Sequence, residues 1–393
     1  MRIAFISYEF PPDTGVGGIG TYTFHIAHLF GNNGVDVEVI CASNHRSGIE
    51  QSGAITVVRV QVSNANAFYR AVPHVVAERN FFKPFDLLEV PEYGGGGGHL
   101  KKFLNIPLIV KLHTPAFLVK ELNDFYYNRT PLRRLAKLFK KQYCKEADAE
   151  YQALQQADFI LSPSRSLKKI IEARWKPSKE IKVAPYPFQA NEALLQIPLQ
   201  TTEKIVLYTG RMETRKGVYN LAKAIPLIVA AEPDAHFIFV GSDDKGPLRE
   251  RSMKKRLLQQ AGQYASHVTF VNRVPLEEIP LYMRRAAVCV YPSLWENFPN
   301  VCLEAMAAGR AVVGSNEGGM ADMLQGVPGA QLVNPQAPAD IAAAIIYLLQ
   351  HPTERQETAR QAREKIKQYY NGALLQELIA LYQSFVTEKT ALY

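Results

Sequence analysis

The most constraining feature of this chain is a rhythm that occurs twice. Short apolar runs rich in Val, Ile and Phe alternate with helix-length segments, the pattern of parallel strands joined by crossover helices. The first series predicts strands at Ile3–Ser7, Val35–Ala42, Ile55–Val60, Leu87–Val90, Leu108–His113 and Phe159–Ser162. The second predicts them at Ile205–Gly210, His236–Gly241, Val268–Val271, Ala287–Pro292 and Ala311–Ser315. Between the series, Val183–Gln200 holds Pro185, Pro187 and Pro198 with little periodicity, as an interdomain linker does. The fold class is therefore α/β: two doubly wound domains, residues 1–190 and 191–370, each offering ligand loops at the carboxyl ends of its strands. Facing each other, the two sets of loops would form a cleft. The closing segment 371–393 is helix-like, with Leu374, Leu375, Leu378, Ile379 and Leu381 on one stripe.

Length and composition agree with that division. At 393 residues the chain exceeds one ordinary core and suits two domains of roughly 150–200 residues. An apolar content of 47% with 21% charged residues excludes a disordered chain. The opening MRIAFISYEFPP does not fit a signal peptide, and no run reaches about 18 uninterrupted apolar residues, so a cytoplasmic protein is expected. Cys41, Cys144, Cys289 and Cys302 are too scattered for a structural zinc site and are expected to be reduced thiols, buried where they lie in apolar runs. A net charge of +8 suits anionic ligands or surfaces. No groove-reading module or dense Arg/aromatic cluster points to nucleic acid, which is not expected as a partner.

Gly15-Val16-Gly17-Gly18-Ile19-Gly20 matches the G-x-G-x-x-G fingerprint of dinucleotide-binding domains. In that fold the glycines follow the first strand almost at once, whereas seven residues, Tyr8 to Thr14, intervene here. The second strand also lacks the acid that would bind a ribose at its end, since Asp36 and Glu38 lie near its beginning. A dehydrogenase is therefore rejected. The glycines still let backbone approach a ligand, and the helix-like Thr21–Phe30 presents its positive end, so the loop reads as a phosphate-approach loop.

The second series carries the denser chemistry. Its first strand ends in Gly210-Arg211-Met212-Glu213-Thr214-Arg215-Lys216-Gly217, followed by the amphipathic Val218–Ala231. A strand end, a loop with three cations and a helix start make an anion site, with Arg211 as a forked donor and Lys216 as a mobile point charge. A later strand leads into Glu296-Asn297-Phe298-Pro299, then a short helix that carries Glu304 and ends at Gly309. Glu304 stands among Val301, Cys302, Leu303 and Met306, and burial there predicts a hydrogen-bond partner for its carboxyl.

At these residues the chain resembles the retaining glycosyltransferase family 4, of the GT-B architecture with two Rossmann-like domains. The resemblance rests on Gly17-Gly18, His113 after a strand, Gly210-Arg211 with Lys216-Gly217, Glu296 followed by seven residues and Glu304, and Glu317-Gly318-Gly319. It implies that Arg211 and Lys216 neutralise a donor diphosphate that the Gly17 and Gly18 backbone also approaches. By the same resemblance Glu296, with the Asn297, Phe298 and Pro299 backbone, holds the transferred sugar, and Glu304 holds the ribose. Asn300, Val301 and Val274 would complete the nucleotide-sugar contacts, and His113 would meet the sugar near its reacting carbon. His113, Arg211, Lys216 and Glu296 are the implied catalytic set. The closing helix would return to the first domain.

The implied donor is a nucleotide sugar, a substrate rather than a cofactor. UDP-glucose is the expectation, because UDP-hexoses are common donors in the family and no residue demands guanine, while GDP-mannose, UDP-galactose and UDP-N-acetylglucosamine stay open. The acceptor would be a glycan or lipid-linked glycan in polysaccharide biosynthesis. The loop Gly241 to Gly246, the segment Asn272-Arg273-Val274 and Asp322 depart from the usual pattern, and they bear on the base and sugar. Pro91-Glu92-Tyr93 and Gly94 to Gly98 are either a pliable acceptor-facing backbone or structural slack. No Asp-x-Asp loop follows an apolar strand, so no catalytic metal is expected. The competing readings are a nucleotide-sugar epimerase or phosphorylase of related fold and a non-catalytic nucleotide-sugar-binding protein. Finally, Leu132 to Lys145 carries six cations interleaved with apolar residues and no acid. That reads either as peripheral contact with an anionic membrane or as a packed helix with a solvated basic face.

Overall fold

The computed structural model describes residues 1–14, 17–125, 144–189, 191–244, 252–370 and 372–390. The basic segment expected to touch a membrane, apart from its last two residues, lies outside them, as do Gly15 and Val16 of the glycine loop and Lys245 and Gly246. No helix among the described residues is long and apolar enough to cross a membrane. The chain forms two compact units. The first takes residues 1–116, 144–187 and the closing helix Ala373–Thr390, and the second is built mainly from residues 188–370.

The first unit holds an eight-stranded sheet in the order β3-β4-β2-β1-β5-β6-β7-β8. Its strands are β1 Arg2–Ser7, β2 Asp36–Ser43, β3 Gly48–Ser52, β4 Ile55–Gln61, β5 Leu87–Pro91, β6 Leu108–Lys111, β7 Phe159–Ser162 and β8 Ile181–Val183. All neighbours are parallel except the β3–β4 hairpin. Every residue of β1 is buried, as a parallel strand covered on both faces must be. The closing helix completes this core: Leu375, Leu378, Ile379, Tyr382 and Phe385 join Phe5, Phe30, Val39 and Phe159 in one apolar cluster. Phe385 stacks on Phe159 at 3.9 Å, and the buried Tyr382 hydroxyl donates to Glu89 on β5.

The second unit holds a six-stranded parallel sheet, β11-β10-β9-β12-β13-β14. The strands are β9 Ile205–Thr209, β10 His236–Val240, β11 Val268–Val271, β12 Ala286–Tyr291, β13 Ala311–Ser315 and β14 Gln331–Val333. The expected strands recur within one or two residues at their ends, and three were missed. β3 is an exposed edge strand without apolar alternation, and β8 and β14 have three residues each. In each sheet, consecutive connections run to opposite sides of one strand pair, β1/β5 in the first and β9/β12 in the second. Those are the switch points at which doubly wound sheets bind ligands.

The glycine run after β5 is neither pliable nor slack. Residues Tyr93–Lys102 form a short helical segment packed against its neighbours. A Cβ on Gly95 would lie 2.4 Å from the Ala149 backbone, one on Gly96 2.4 Å from the Tyr69 ring, and one on Gly97 2.2 Å from Val90. The missing side chains are what lets this segment nest between β5 and two helices. Of the four cysteines, Cys41, Cys289 and Cys302 are buried free thiols, whereas Cys144 is exposed.

Candidate active site

In the second unit, the loops after β9 and β12 meet at the switch point. Gly217 makes the meeting close: its φ is 69°, and a Cβ there would sit 1.7 Å from the Pro292 carbonyl oxygen. The Leu294 amide donates to the Arg215 carbonyl at 2.8 Å, and the helix Val218–Ala231 starts from this point. From the next strand end, the Gly319 amide donates to the Glu296 carbonyl at 2.7 Å, with Gly318 at φ 73° closing onto the same peptide. Three loops thus fix the backbone of Glu296.

The side chains form a row of alternating charge. Arg211 Nη2 lies 3.2 Å from Glu213 Oε1, and the same oxygen is 2.8 Å from Arg215 Nη2. Arg215 Nη1 lies 3.2 Å from Glu296 Oε1, which also meets Lys216 Nζ at 2.5 Å. Arg211 is largely open to solvent, and the other four are mostly enclosed. Burial alone would push the Glu296 carboxyl up, but the Lys216 and Arg215 charges outweigh it and hold the group below the usual carboxylate range. The expected residues Arg211, Lys216 and Glu296 are therefore brought together, joined by Arg215 and Glu213. Arg215 was counted among the loop's cations but given no role, and Glu213 was passed over. Its place two residues from each of two cations, with Met212 between it and Arg211 and Thr214 between it and Arg215, is the signal that could have found it.

Glu304 corrects an expectation. It lies within the helix Asn300–Ala307, and its carboxyl accepts no hydrogen bond among the described residues. Burial pushes it up to about 7. Glu304 is partly buried, while Cys302, Leu303, Ala305 and Met306 around it on the helix are fully buried. Asn297 is buried, Phe298 packs edge-on to Tyr369 at 5.9 Å, Pro299 caps the helix, and Asn300 and Val301 form its first turn. Val274 lies beyond β11, and no described contact joins it to this group.

The remaining expected residues belong to the first unit. Gly17 caps the helix Gly18–Asn32, a Cβ on it would lie 2.7 Å from the Glu9 carboxylate, and Gly18 faces open space. Glu9 Oε2 accepts the Gly20 amide at 3.2 Å, so a side chain of the protein already occupies part of this helix start. His113, two residues past β6, is buried; its amide donates to Glu92 Oε2 at 2.7 Å and its Nδ1 lies 3.1 Å from the Lys111 carbonyl. Around it stands a buried polar network that sequence reading missed. Tyr22 donates to Glu89 at 2.8 Å, Lys111 Nζ donates to the Ala184 carbonyl at 2.8 Å, and Glu150 accepts from the Gly94 and Ala116 amides. Burial lowers Lys111 to about 8, and burial together with the Glu92 charge raises Glu150 to about 7. Glu89 and Lys111 break two otherwise apolar strands, and that break was the available signal.

Comparison with known proteins agrees with this fold. Residues 16–189 match the model described as Glycosyltransferase Family 4, and residues 203–351 match Glycosyl transferases group 1. An uncharacterized glycosyltransferase of Methanocaldococcus jannaschii is 25% identical over 94% of this chain and 95% of its own length. Sucrose-phosphate synthase from Thermosynechococcus elongatus superposes with a TM-score of 0.74 at 22% identity, covering 98% of this chain and 99% of that one. The Anabaena protein HepE, solved in complex with UDP-glucose, gives 0.67 at 17% identity over 98% and 100%. Two α/β units built on largely parallel sheets, both family matches and the solved structures of like fold lead to one assignment: the chain belongs to glycosyltransferase family 4 and has the GT-B fold.

Proposed function

We propose that the protein is a retaining, metal-independent hexosyltransferase that moves glucose from UDP-glucose to a glycan or lipid-linked acceptor in polysaccharide biosynthesis. The observation that carries the reading is the row of Arg211, Arg215 and Lys216 against Glu296, with the unpartnered Glu304 nearby in sequence on the following helix. Breaking the anomeric bond develops positive charge on the sugar and negative charge on the departing diphosphate. Cations held in place before the reaction stabilise that charge without reorganising. Arg211 and Lys216 are assigned to the diphosphate, Glu304 to the ribose hydroxyls, and Glu296 and His113 to the sugar. A diphosphate oxygen that takes the acceptor proton on the departing face accounts for retention with no enzymic base. UDP-glucose is the first donor to try because a protein of the same fold holds it in its solved structure.

The test is calorimetry and thermal shift with UDP, GDP, ADP and their sugars, followed by product analysis with EDTA present. A ligand of the native state stabilises it in proportion to occupancy. Stabilisation by UDP and UDP-glucose, and release of UDP with a glucoside of the same anomeric configuration, is the expected result. Loss of transfer in EDTA that manganese or magnesium restores would remove the metal-independent mechanism. Glu296→Gln separates sugar from nucleotide contacts. It should leave UDP affinity intact while lowering the single-turnover rate about tenfold, because a contact that tightens with developing charge acts on the transition state. Unchanged turnover in that variant would show that Glu296 does not touch the sugar.

A further inference from the structure

The row of charges in the second unit contains one more cation than the expected roles employ. Arg215 is mostly enclosed and lies between two carboxylates, 2.8 Å from Glu213 and 3.2 Å from Glu296. Lys216, its neighbour in sequence, meets the same Glu296 oxygen at 2.5 Å. The two cations on Glu296 differ in freedom. A lysine ammonium on a flexible stem can swing to a new anion, while a guanidinium gripped by two carboxylates cannot. An enclosed carboxylate left without a cation is costly. If Lys216 were the only cation on Glu296, binding an anion through Lys216 would strip Glu296 of its charge partner.

We infer that Arg215 is a positioning residue that keeps Glu296 oriented and charge-compensated, so that Lys216 is free to pass to an incoming diphosphate. The inference rests on the assignment of Lys216 to the diphosphate made above. Glu213 fixes the far side of the guanidinium and also holds the exposed Arg211 at 3.2 Å. The two outer cations, Arg211 and Lys216, rest on carboxylates that retain Arg215 between them when the outer cations leave. Arg215 need not touch the donor at all, and that separates it from an ordinary phosphate ligand.

The experiment measures binding of inorganic pyrophosphate and UDP by calorimetry to the full chain and to Arg215→Met, Glu296→Gln and the double variant. Arg215→Met should weaken both ligands at least tenfold, because Lys216 must stay on Glu296. Glu296→Gln alone should change affinity less than threefold. The double variant should recover to within threefold of the parent, since no carboxylate then holds Lys216 back. Parent-like affinity in Arg215→Met overturns the inference, and so does a loss that the double variant fails to recover, which marks a direct phosphate contact. Arg215→Lys, a milder change, serves if Arg215→Met does not fold. It should weaken pyrophosphate at least threefold and be rescued by Glu296→Gln, and absence of either effect overturns the inference. A parent that binds neither ligand overturns the donor-site reading as well, and so stands apart from these results.

Discussion

Glu304→Gln should make the ligand-free protein more stable and bind UDP less well. The carboxyl is raised by burial from an ordinary value of 4.5 to about 7, so the folded chain keeps a proton that the unfolded chain releases between those values. A raised acid contributes stability that is present below the unfolded value and lost as pH rises through the folded one. At pH 8 the parent therefore bears nearly all the penalty of a partly buried charge with no hydrogen-bond partner among the described residues, and glutamine removes it. The gain should be about 3 kcal/mol at pH 8, from about 1.36 kcal/mol per pH unit, and should fall below about 1 kcal/mol at pH 5. UDP affinity should move the other way, falling by about 1–3 kcal/mol for lost charged hydrogen bonds to the ribose. The ratio of parent to variant affinity should also grow between pH 6 and 8, because ionised Glu304 is the better acceptor. Thermal unfolding at both pH values beside UDP calorimetry checks all three. Equal melting temperatures at pH 8, or equal UDP affinity, would exclude the ribose assignment.

Gly217→Ala should be far more damaging than its single methyl group suggests. The position needs φ of 69°, which alone costs an alanine about 1 kcal/mol, and its Cβ would lie 1.7 Å from the Pro292 carbonyl oxygen. No side chain can move to relieve that contact, because the obstacle is backbone. The loops after β9 and β12 must part, breaking the Leu294–Arg215 hydrogen bond and separating Lys216 from Glu296. A loss of about 3–5 kcal/mol in urea unfolding is expected, with UDP binding abolished in any protein that still folds. Gly34→Ala is the control. Gly34 also has positive φ, at 81°, but open space around it, so about 1 kcal/mol should be lost.

The parts of this molecule that were legible in sequence are those where one physical demand acts along the chain. Strands buried on both faces must be continuously apolar, and β1, β7, β9 and β13 could be placed within one residue or less on that ground. The charged cluster was legible because Arg211 and Lys216 stand at a strand's carboxyl end. What was hidden depends on residues distant in sequence. Among the described residues Glu304 has no hydrogen-bond partner, where its apolar neighbours in sequence suggested one. Gly95, Gly96 and Gly97 meet Ala149, Tyr69 and Val90, none of which a local reading could supply. Arg215 looked like one more surface cation until Glu296, 81 residues later, was found beside it.

The closing helix has a consequence for how the chain matures during synthesis. Tyr382 and Phe385 lie at the centre of the first unit's core, against Glu89 and Phe159. Domains generally fold as units while the polypeptide emerges, the earliest first. Here the earlier unit cannot close its core until Phe385 has left the ribosome, whereas the sheet from β9 to β14 is drawn from one uninterrupted stretch and can close before it. The order of birth and the order of completion are therefore reversed, and the nascent first unit, its apolar floor still uncovered, is the stage at which chaperones have most to hold.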